Sequence, residues 1–246
     1  MSSPDSPIFS RLQRPPAYKI VADALQKAVL EKTLKPGDAF PIEGDLAAQF
    51  GVNRSTVREG IRHLEQSGLV VRQGKKLVVS LPSYDQVGDQ VSRALIVHDV
   101  TFQELWEVKM ALEPLAAELA AAAITDDQIN RMEANIEATR RALKNGDDLV
   151  ALDIEFHALI AEASGNRALV MARGAIARLF YPTYKVGMAA KAAGRRLVDA
   201  HANIFEAIKA REAQTAAEWM RKHIIDFKRG YEIAGHNVSE PVAYEE

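Results

Sequence analysis

Residues 52–68 have the sequence VNRSTVREGIRHLEQSG, in which apolar and basic side chains recur with a helical period. At about 100° per residue, one stripe of such a helix is apolar and consists of Val57, Ile61 and Leu64. A neighbouring stripe is basic and consists of Arg54, Arg58 and Arg62. A helix of this kind can bury its apolar stripe and lie in the major groove of DNA, where arginines reach phosphates or guanine edges. The alternative is an ordinary helix with a solvated basic face.

The residues before this segment predict a helix-turn-helix. A helix is expected from Tyr18 to Thr33, and Pro36-Gly37 must then turn the chain, because proline and glycine together stop a helix. A short helix is expected to begin near Glu43 and to end before Gly51, since glycine commonly follows a helix end. Together with the arginine helix, this short helix forms the two-helix motif.

The start of the arginine helix carries short polar side chains. Asn53 or Ser55 can cap the helix, and the hydroxyls of Ser55 and Thr56 suit contacts with phosphates. Residues 69–80, LVVRQGKKLVVS, follow as two β-branched runs around a turn and predict a β-hairpin. Lys75 and Lys76 lie at its tip, so the hairpin is interpreted as a DNA-binding wing. The alternative is an ordinary hairpin with a solvated turn.

The composition bounds the class of protein. A chain of 246 residues is long enough for two domains, and 48% apolar with 26% charged residues is an ordinary soluble balance. No apolar run approaches the ~20 residues of a membrane span, and the N-terminus has no apolar signal core, so we expect a cytoplasmic protein without a membrane partner. The absence of cysteine excludes disulfides, thiolate metal ligands and a cysteine nucleophile.

The charge is distributed unevenly along the chain. Residues 1–80 carry 12 Lys+Arg against 8 Asp+Glu, whereas the remainder carries 19 against 25. A basic N-terminal part beside an acidic C-terminal part fits nucleic-acid binding by the first part only.

The C-terminal two-thirds predicts helices without strands, so the expected fold class is mainly α: a winged helix-turn-helix followed by an antiparallel all-helical bundle. The predicted helices are 84–97, 102–123, 126–144, 148–164, 167–190, 194–211 and 213–234. Pro182 is expected to kink or break its helix. The predicted segments are a mobile arm (1–17), a DNA-binding domain (18–80), a linker (81–84), an effector-binding domain (85–235) and a polar, frayed tail (236–246).

Four polar side chains fall on apolar helix faces of this bundle. Asp153 and His157 are one turn apart on the helix 148–164, and His201 and His223 lie on the last two helices, each among apolar neighbours. Burial of an unpaired carboxylate costs several kcal/mol, and a divalent cation would compensate for it. One carboxylate with three imidazoles suits zinc first, with nickel, manganese and iron as alternatives. An Asp–His hydrogen-bond network without metal is the other interpretation.

The N-terminal part resembles the winged helix-turn-helix of the GntR family of bacterial transcription regulators. The residues that carry the resemblance are Pro36-Gly37, Phe40 to Ala47, Val52 to Glu59 and Leu64 to Leu69. The resemblance implies that Arg54, Thr56 and Arg58 contact DNA. The chain departs from the family where Gly44 replaces a frequent arginine, and in the wing, where Gly74-Lys75-Lys76 lacks the usual second glycine.

The C-terminal part resembles the FCD ligand-binding domain of the FadR subfamily. The matching elements are Asp153 to His157, Ala163 to Asn166, Asp199 to Ile204 and Met220 to Ile224. The resemblance implies that Asp153, His157, His201 and His223 hold a metal whose open positions accept a small organic acid. Many relatives have arginine in place of Lys109, facing the acid. A solvent-exposed lysine is the alternative for Lys109, and Arg173 and Arg178 are further cations without a positional argument.

These patterns lead us to expect a repressor that binds a pseudo-palindromic operator in double-stranded DNA as a homodimer. A small carboxylate effector would bind at the metal, shift the bundle helices and change the spacing of the two recognition helices. Two other classes remain open from the sequence. One is a metalloenzyme that acts on a small carboxylate, for which no general base is evident, since Glu155 is close in sequence but points away from the helix face of Asp153. The other is an architectural DNA-binding protein with a structural metal.

Overall fold

The computed structural model describes residues 15–187 and 191–242. The chain divides into two compact units, and the boundary falls between Ser83 and Tyr84. Among the described residues, none of the helices combines the length and apolar character that crossing a membrane requires.

The N-terminal unit is a winged helix-turn-helix, which confirms the predicted architecture. Its elements are α1 (Ala17–Leu30), α2 (Glu43–Phe50), α3 (Arg54–Gln66), β1 (Val70–Gln73) and β2 (Lys76–Val79). Gly51 ends α2 in the left-handed conformation, with φ of 64°, which glycine adopts without steric cost. One apolar core joins all of these elements and includes Val21, Leu25, Phe40, Leu46, Val57, Ile61, Leu64 and Val79.

The hairpin closes with a single glycine. Strands β1 and β2 pair antiparallel, with Val70 opposite Val79 and Gln73 opposite Lys76. Gly74 takes a positive φ of 61°, whereas the next residue, Lys75, does not take a positive φ. A two-residue turn with glycine in the first position needs no second glycine. The departure from the family's wing sequence therefore leaves the hairpin intact.

The C-terminal unit is all-helical in its described residues, as predicted. Its helices are α4 (Tyr84–Val97), α5 (Phe102–Ala123), α6 (Asp126–Asn145), α7 (Val150–Ala163), α8 (Arg167–Gly187), α9 (Lys191–Lys209) and α10 (Ala213–Ile233). Helix α10 packs on α5 and α9, helix α4 packs on α8, and α7 contacts α5, α6 and α8. The main core includes Phe156, Ile160, Ile204, Ile208, Met220 and Ile224.

Of the two outcomes expected at Pro182, a kink or a break of the helix, the break is wrong. Helix α8 continues past this residue to Gly187. Proline removes one backbone donor, and the packing of α8 against α4, α5 and α7 holds the rest of the helix. The end of the predicted helix, residues 188–190, lies outside the described residues.

The expectation of a frayed tail is also wrong for residues 236–242, which pack on the start of α5. The N–H groups of Phe102 and Gln103 donate to the carbonyls of Glu240 and Val238, at 3.3 and 2.9 Å. The first N–H groups of a helix lack partners within the helix, so the tail supplies them. Val242 is only 8% exposed and belongs to the same apolar cluster as Phe102.

We expect Val242→Ala to lower the free energy of unfolding by about 1.5 kcal/mol, because two buried methyl groups are removed. Urea-induced unfolding measures this change. Val97→Ala is the matched control, since Val97 is 81% exposed. Equal stability of the two variants would contradict the docking of the tail.

Candidate metal centre and nucleic-acid interface

Helix α7 places two of the predicted metal ligands side by side in the core. Asp153 and His157 are one helical turn apart, and both are fully buried. Both lie on the buried side of α7, which packs on α5, α6 and α8, whereas Glu155 and Glu162 lie on its exposed side. His157 Nε2 lies 3.9 Å from Asp153 Oδ1.

Helices α9 and α10 bring the remaining two predicted ligands to this pair. His201 Nε2 lies 3.1 Å from Asp153 Oδ1, and His223 Nε2 lies 3.8 Å from the same oxygen. The Nε2 atoms of His157 and His223 are 3.2 Å apart. The His201 ring stacks on Phe156 with a centroid distance of 3.9 Å. One ligand atom from each of the four residues lies within 4.8 Å of the others.

Several polar atoms of this cluster lack hydrogen bonds. Neither carboxylate oxygen of Asp153 nor either ring nitrogen of His201 has a hydrogen-bond partner among the described residues, although all are buried. The 3.1 Å approach of His201 to Asp153 is therefore close without being aligned as a hydrogen bond. Two ligands that each lie about 2.1 Å from one zinc ion are at most about 4.2 Å apart. The four distances given above, of the six between these ligand atoms, satisfy this limit, and all six lie within 4.8 Å. A shift of a few tenths of an ångström in the side chains would therefore let the donor set hold a single cation.

Burial controls the protonation of the cluster. It lowers the pKa of His201, and it lowers that of His223 well below the ordinary value, so both imidazoles keep a lone pair free at neutral pH. Burial alone would raise the pKa of Asp153, but the approach of His201 and the other two imidazoles outweighs it and holds that pKa below its usual range. The lowered pKa values of Asp153, His201 and His223 thus favour a carboxylate beside two neutral imidazoles, the forms that bind metal.

A second group of buried charges adjoins the cluster. Glu113 on α5 accepts a hydrogen bond from Arg173 Nε on α8 at 2.7 Å, and its other oxygen lies 2.8 Å from His157 Nδ1. Lys109, Glu113 and Arg173 also line a cavity of about 10 Å³. Burial alone would raise the pKa of Glu113, but Arg173, His157 and Lys109 hold it well below its usual range.

The structure places Lys109 in the interior, at 5% exposure, so its interpretation as a solvent-exposed lysine is wrong. Its ammonium lies 5.1 Å from the centre of the Phe180 ring, and burial lowers its pKa. Glu113 was not predicted as a site residue. A signal was present, because Lys109 and Glu113 interrupt the face of α5 that buries Leu105 and Ala116.

Glu155 has no place in the cluster. It is exposed and accepts a hydrogen bond from Asn135 Nδ2 at 2.8 Å.

Helix α3 exposes the basic stripe that the sequence predicts. Val57, Ile61 and Leu64 are buried, while the cations on the outer surface of this unit are all exposed: Arg54, Arg58, Arg62, Lys75 and Lys76. The N-cap is Asn53, whose Oδ1 accepts the Thr56 backbone N–H at 2.8 Å. The hydroxyls of Ser55 and Thr56 also donate to this oxygen, each at 2.7 Å. Both hydroxyls must rotate before they can donate to a phosphate.

Two residues of α2, Glu43 and Gly44, lie beside arginines of α3. Arg58 Nη2 lies 2.9 Å from Glu43 Oε2, and Arg72 of the wing pairs with the other oxygen of Glu43 at 3.2 Å. The hydrogen bond from Arg58 lowers the pKa of Glu43. A Cβ built on Gly44 would lie 3.0 Å from Arg54 Nη2. The glycine that departs from the family pattern therefore leaves room for the Arg54 guanidinium.

We expect the metal-free protein to lose thermal stability as the pH falls from 7.5 to 5.5. The unfolded chain takes up protons on His201 and His223 near pH 6.5, whereas the folded state, with both pKa values lowered, resists them. Stability therefore rises with pH in this window. His223→Gln should weaken the dependence, and His98→Gln, at an exposed position, should retain it. A melting temperature that is independent of pH would refute this account.

Comparison with known proteins agrees with both halves of this description. Residues 17–78 match the family described as bacterial regulatory proteins, gntR family, and residues 104–226 match the FCD domain. The chain is 28% identical to the uncharacterized HTH-type transcriptional regulator YdhC of Bacillus subtilis over 217 residues, which cover 87% of this chain and 90% of that protein.

Two further similarities concern a repressor and a solved structure. The HTH-type transcriptional repressor NanR of Cronobacter sakazakii is 28% identical over 159 residues, which cover 63% of this chain and 61% of that protein. The structure of Streptococcus agalactiae GntR matches with a TM-score of 0.65 and 29% identity, over 86% of this chain and 99% of that one. YdhC and NanR are both named as transcriptional regulators of the helix-turn-helix type. The chain belongs to the GntR family of bacterial regulatory proteins and is a transcription regulator with an FCD domain.

Proposed function

We propose that this regulator is a repressor whose affinity for DNA is controlled by a small organic acid, bound at a divalent metal in the C-terminal unit. The observation that carries the proposal is the burial of both Asp153 oxygens among three imidazoles without a hydrogen bond. A carboxylate in that position costs several kcal/mol unless a cation compensates.

The four proposed metal ligands are one carboxylate and three imidazoles: Asp153, His157, His201 and His223. This donor set suits zinc, and nickel, manganese and iron are the alternatives. When bound, the ion would supply Lewis-acid positions for a carboxylate oxygen.

The buried charges around the cluster favour an anionic effector. With Lys109 and Arg173 protonated and Glu113 and Asp153 ionised, these buried side chains carry two positive and two negative charges. These four charges cancel, so a divalent cation leaves an excess of two positive charges in the core. An acid that binds here would neutralise part of that excess. Lys109 and Arg173 line the cavity beside Glu113 and are the cations best placed to pair with the acid.

The cavity is too small for the acid in the arrangement described. Its volume of about 10 Å³ is that of one water site, whereas ligand pockets usually enclose about 300–1,000 Å³. Binding of an effector must therefore move the side chains that line it, among them Arg173 and Phe180. An acid that binds only the opened arrangement shifts the protein towards it by its difference in affinity for the two states.

DNA binding is assigned to α3 and the wing. Arg54, Arg58 and Arg62 would contact bases or phosphates in the major groove, with Ser55 and Thr56 at the helix start and with Lys75 and Lys76 on adjacent phosphates. One winged helix contacts few base pairs, so we infer a homodimer on a pseudo-palindromic operator. Repression is supported by the similarity to NanR, which is named a transcriptional repressor.

We expect Arg58→Ala to weaken binding to an operator selected from random DNA by about 1–3 kcal/mol. If Arg58 neutralises a phosphate, its removal should also lower the slope of log affinity against log salt concentration by about one unit. Fluorescence anisotropy at several salt concentrations measures both quantities. Lys27→Ala is the matched control, because Lys27 is an exposed cation on α1. Equal affinity and slope in the Arg58 variant would remove α3 from the interface.

A thermal-shift screen tests the metal and the effector together. Zinc-loaded and chelator-treated protein are compared in the presence of small mono-, di- and tricarboxylates, since a ligand of the folded state raises the melting temperature. We expect zinc-dependent shifts with one class of acid, and none in His201→Ala, which should still bind operator without metal. His98→Ala, changed at an exposed histidine, should behave as the unchanged protein.

Two results would overturn parts of this proposal. A His201→Ala protein that holds zinc and responds to the acid would refute the ligand assignment. A protein that loses stability on chelation but responds to no acid would have a structural metal, which is the architectural alternative.

A further inference from the structure

Glu113 is the buried carboxylate whose two oxygens serve different partners. Oε2 lies 2.8 Å from His157 Nδ1, and Oε1 accepts from Arg173 Nε at 2.7 Å. All three side chains are at least nine-tenths buried, so no solvent competes for these contacts. The three residues come from three helices, α5, α7 and α8.

The contact with Glu113 determines which nitrogen of His157 carries the proton. An ionised carboxylate only accepts hydrogen bonds, so a neutral His157 must hold its proton on Nδ1. Nε2 of His157 then carries a free lone pair. This atom faces the cluster and lies 3.2 Å from His223 Nε2. The other tautomer would place an N–H at the position of a ligand atom and would block it.

His201 lacks an equivalent partner among the described residues. Neither of its ring nitrogens has a hydrogen bond, and its ring is held by stacking on Phe156. The carboxylate partner thus distinguishes His157 from His201. A carboxylate behind a histidine ligand fixes the ring and raises its basicity.

We propose that Glu113 is a positioning residue, which holds His157 with Nε2 directed at the other three ligands and is itself held by Arg173. This inference rests on the proposed metal site. Arg173 also lines the cavity beside Glu113, so an anion that draws Arg173 away would release one oxygen of the carboxylate that orients a metal ligand.

The test compares Glu113→Gln with Glu162→Gln. Glu162 is an exposed carboxylate on α7 that accepts hydrogen bonds from Nη1 and Nη2 of Arg131, at 2.8 and 2.9 Å. Its variant also breaks an arginine–carboxylate pair on the helix of His157, but at a distance from the ligands. Zinc affinity is measured in the full-length protein by competition with a chromophoric chelator. We expect a loss of about 10- to 100-fold for Glu113→Gln and no change for Glu162→Gln.

A second measurement separates positioning from a merely structural role. Long-range ¹H–¹⁵N spectra of the metal-free protein, labelled at its six histidines, report the tautomer of each ring. His157 should be protonated on Nδ1 in the unchanged protein and should lose that preference in Glu113→Gln. A structural role would lower the melting temperature and leave both zinc affinity and tautomer as they were.

Glu113→Gln leaves Arg173 buried without its carboxylate, so the double variant Glu113→Gln, Arg173→Met guards against loss of folding. It should fold and should still show the weakened zinc affinity. A folded double variant with unchanged affinity and unchanged His157 tautomer would overturn the role of Glu113 while leaving the metal site in place. An unchanged protein that binds no zinc would instead overturn the metal site, and with it this inference.

Discussion

The burial of Asp153 among three imidazoles is the constraint on which the C-terminal unit depends. Helices α7, α9 and α10 converge at this carboxylate, and its two oxygens find no hydrogen bond within the described residues. A core that contains an uncompensated charge is destabilised by several kcal/mol. The packing of three helices is therefore tied to whatever satisfies Asp153, and a bound cation links folding to ligand chemistry.

Buried charges extend this dependence outward. His157 contacts Glu113, and Glu113 contacts Arg173, so a continuous series of polar contacts crosses α7, α5 and α8. Each of these contacts lies in a low-dielectric interior, where removal of one partner leaves the other charge buried and unpaired and so destabilises the fold. An interior of this kind favours discrete arrangements over gradual ones, which is the property that a ligand-controlled switch requires.

The N-terminal winged helix-turn-helix unit differs from the C-terminal unit in where its charged side chains lie. Its core contains only residues of its own unit. The surface that we propose for DNA binding consists of exposed cations, some of which are oriented by surface ion pairs, such as that between Arg58 and Glu43. Exposed pairs contribute little to stability. They can exchange a carboxylate for a phosphate at small cost, so the same arginines can be ordered before DNA binds and remain available to it.

The sequence by itself determined the elements and the members of the buried Asp–His cluster. Helical periodicity, turn residues and the four-residue spacing of Asp153 and His157 are local properties, and the winged helix-turn-helix and the helical C-terminal unit follow from them. Tertiary structure decided the burial of Lys109, the continuation of α8 past Pro182, the docking of residues 236–242 and the pairing of Glu113 with His157. Glu113 and His157 are 44 residues apart in the sequence. No periodicity along one helix specifies which helix packs against it, and that choice is made only when the whole core is assembled.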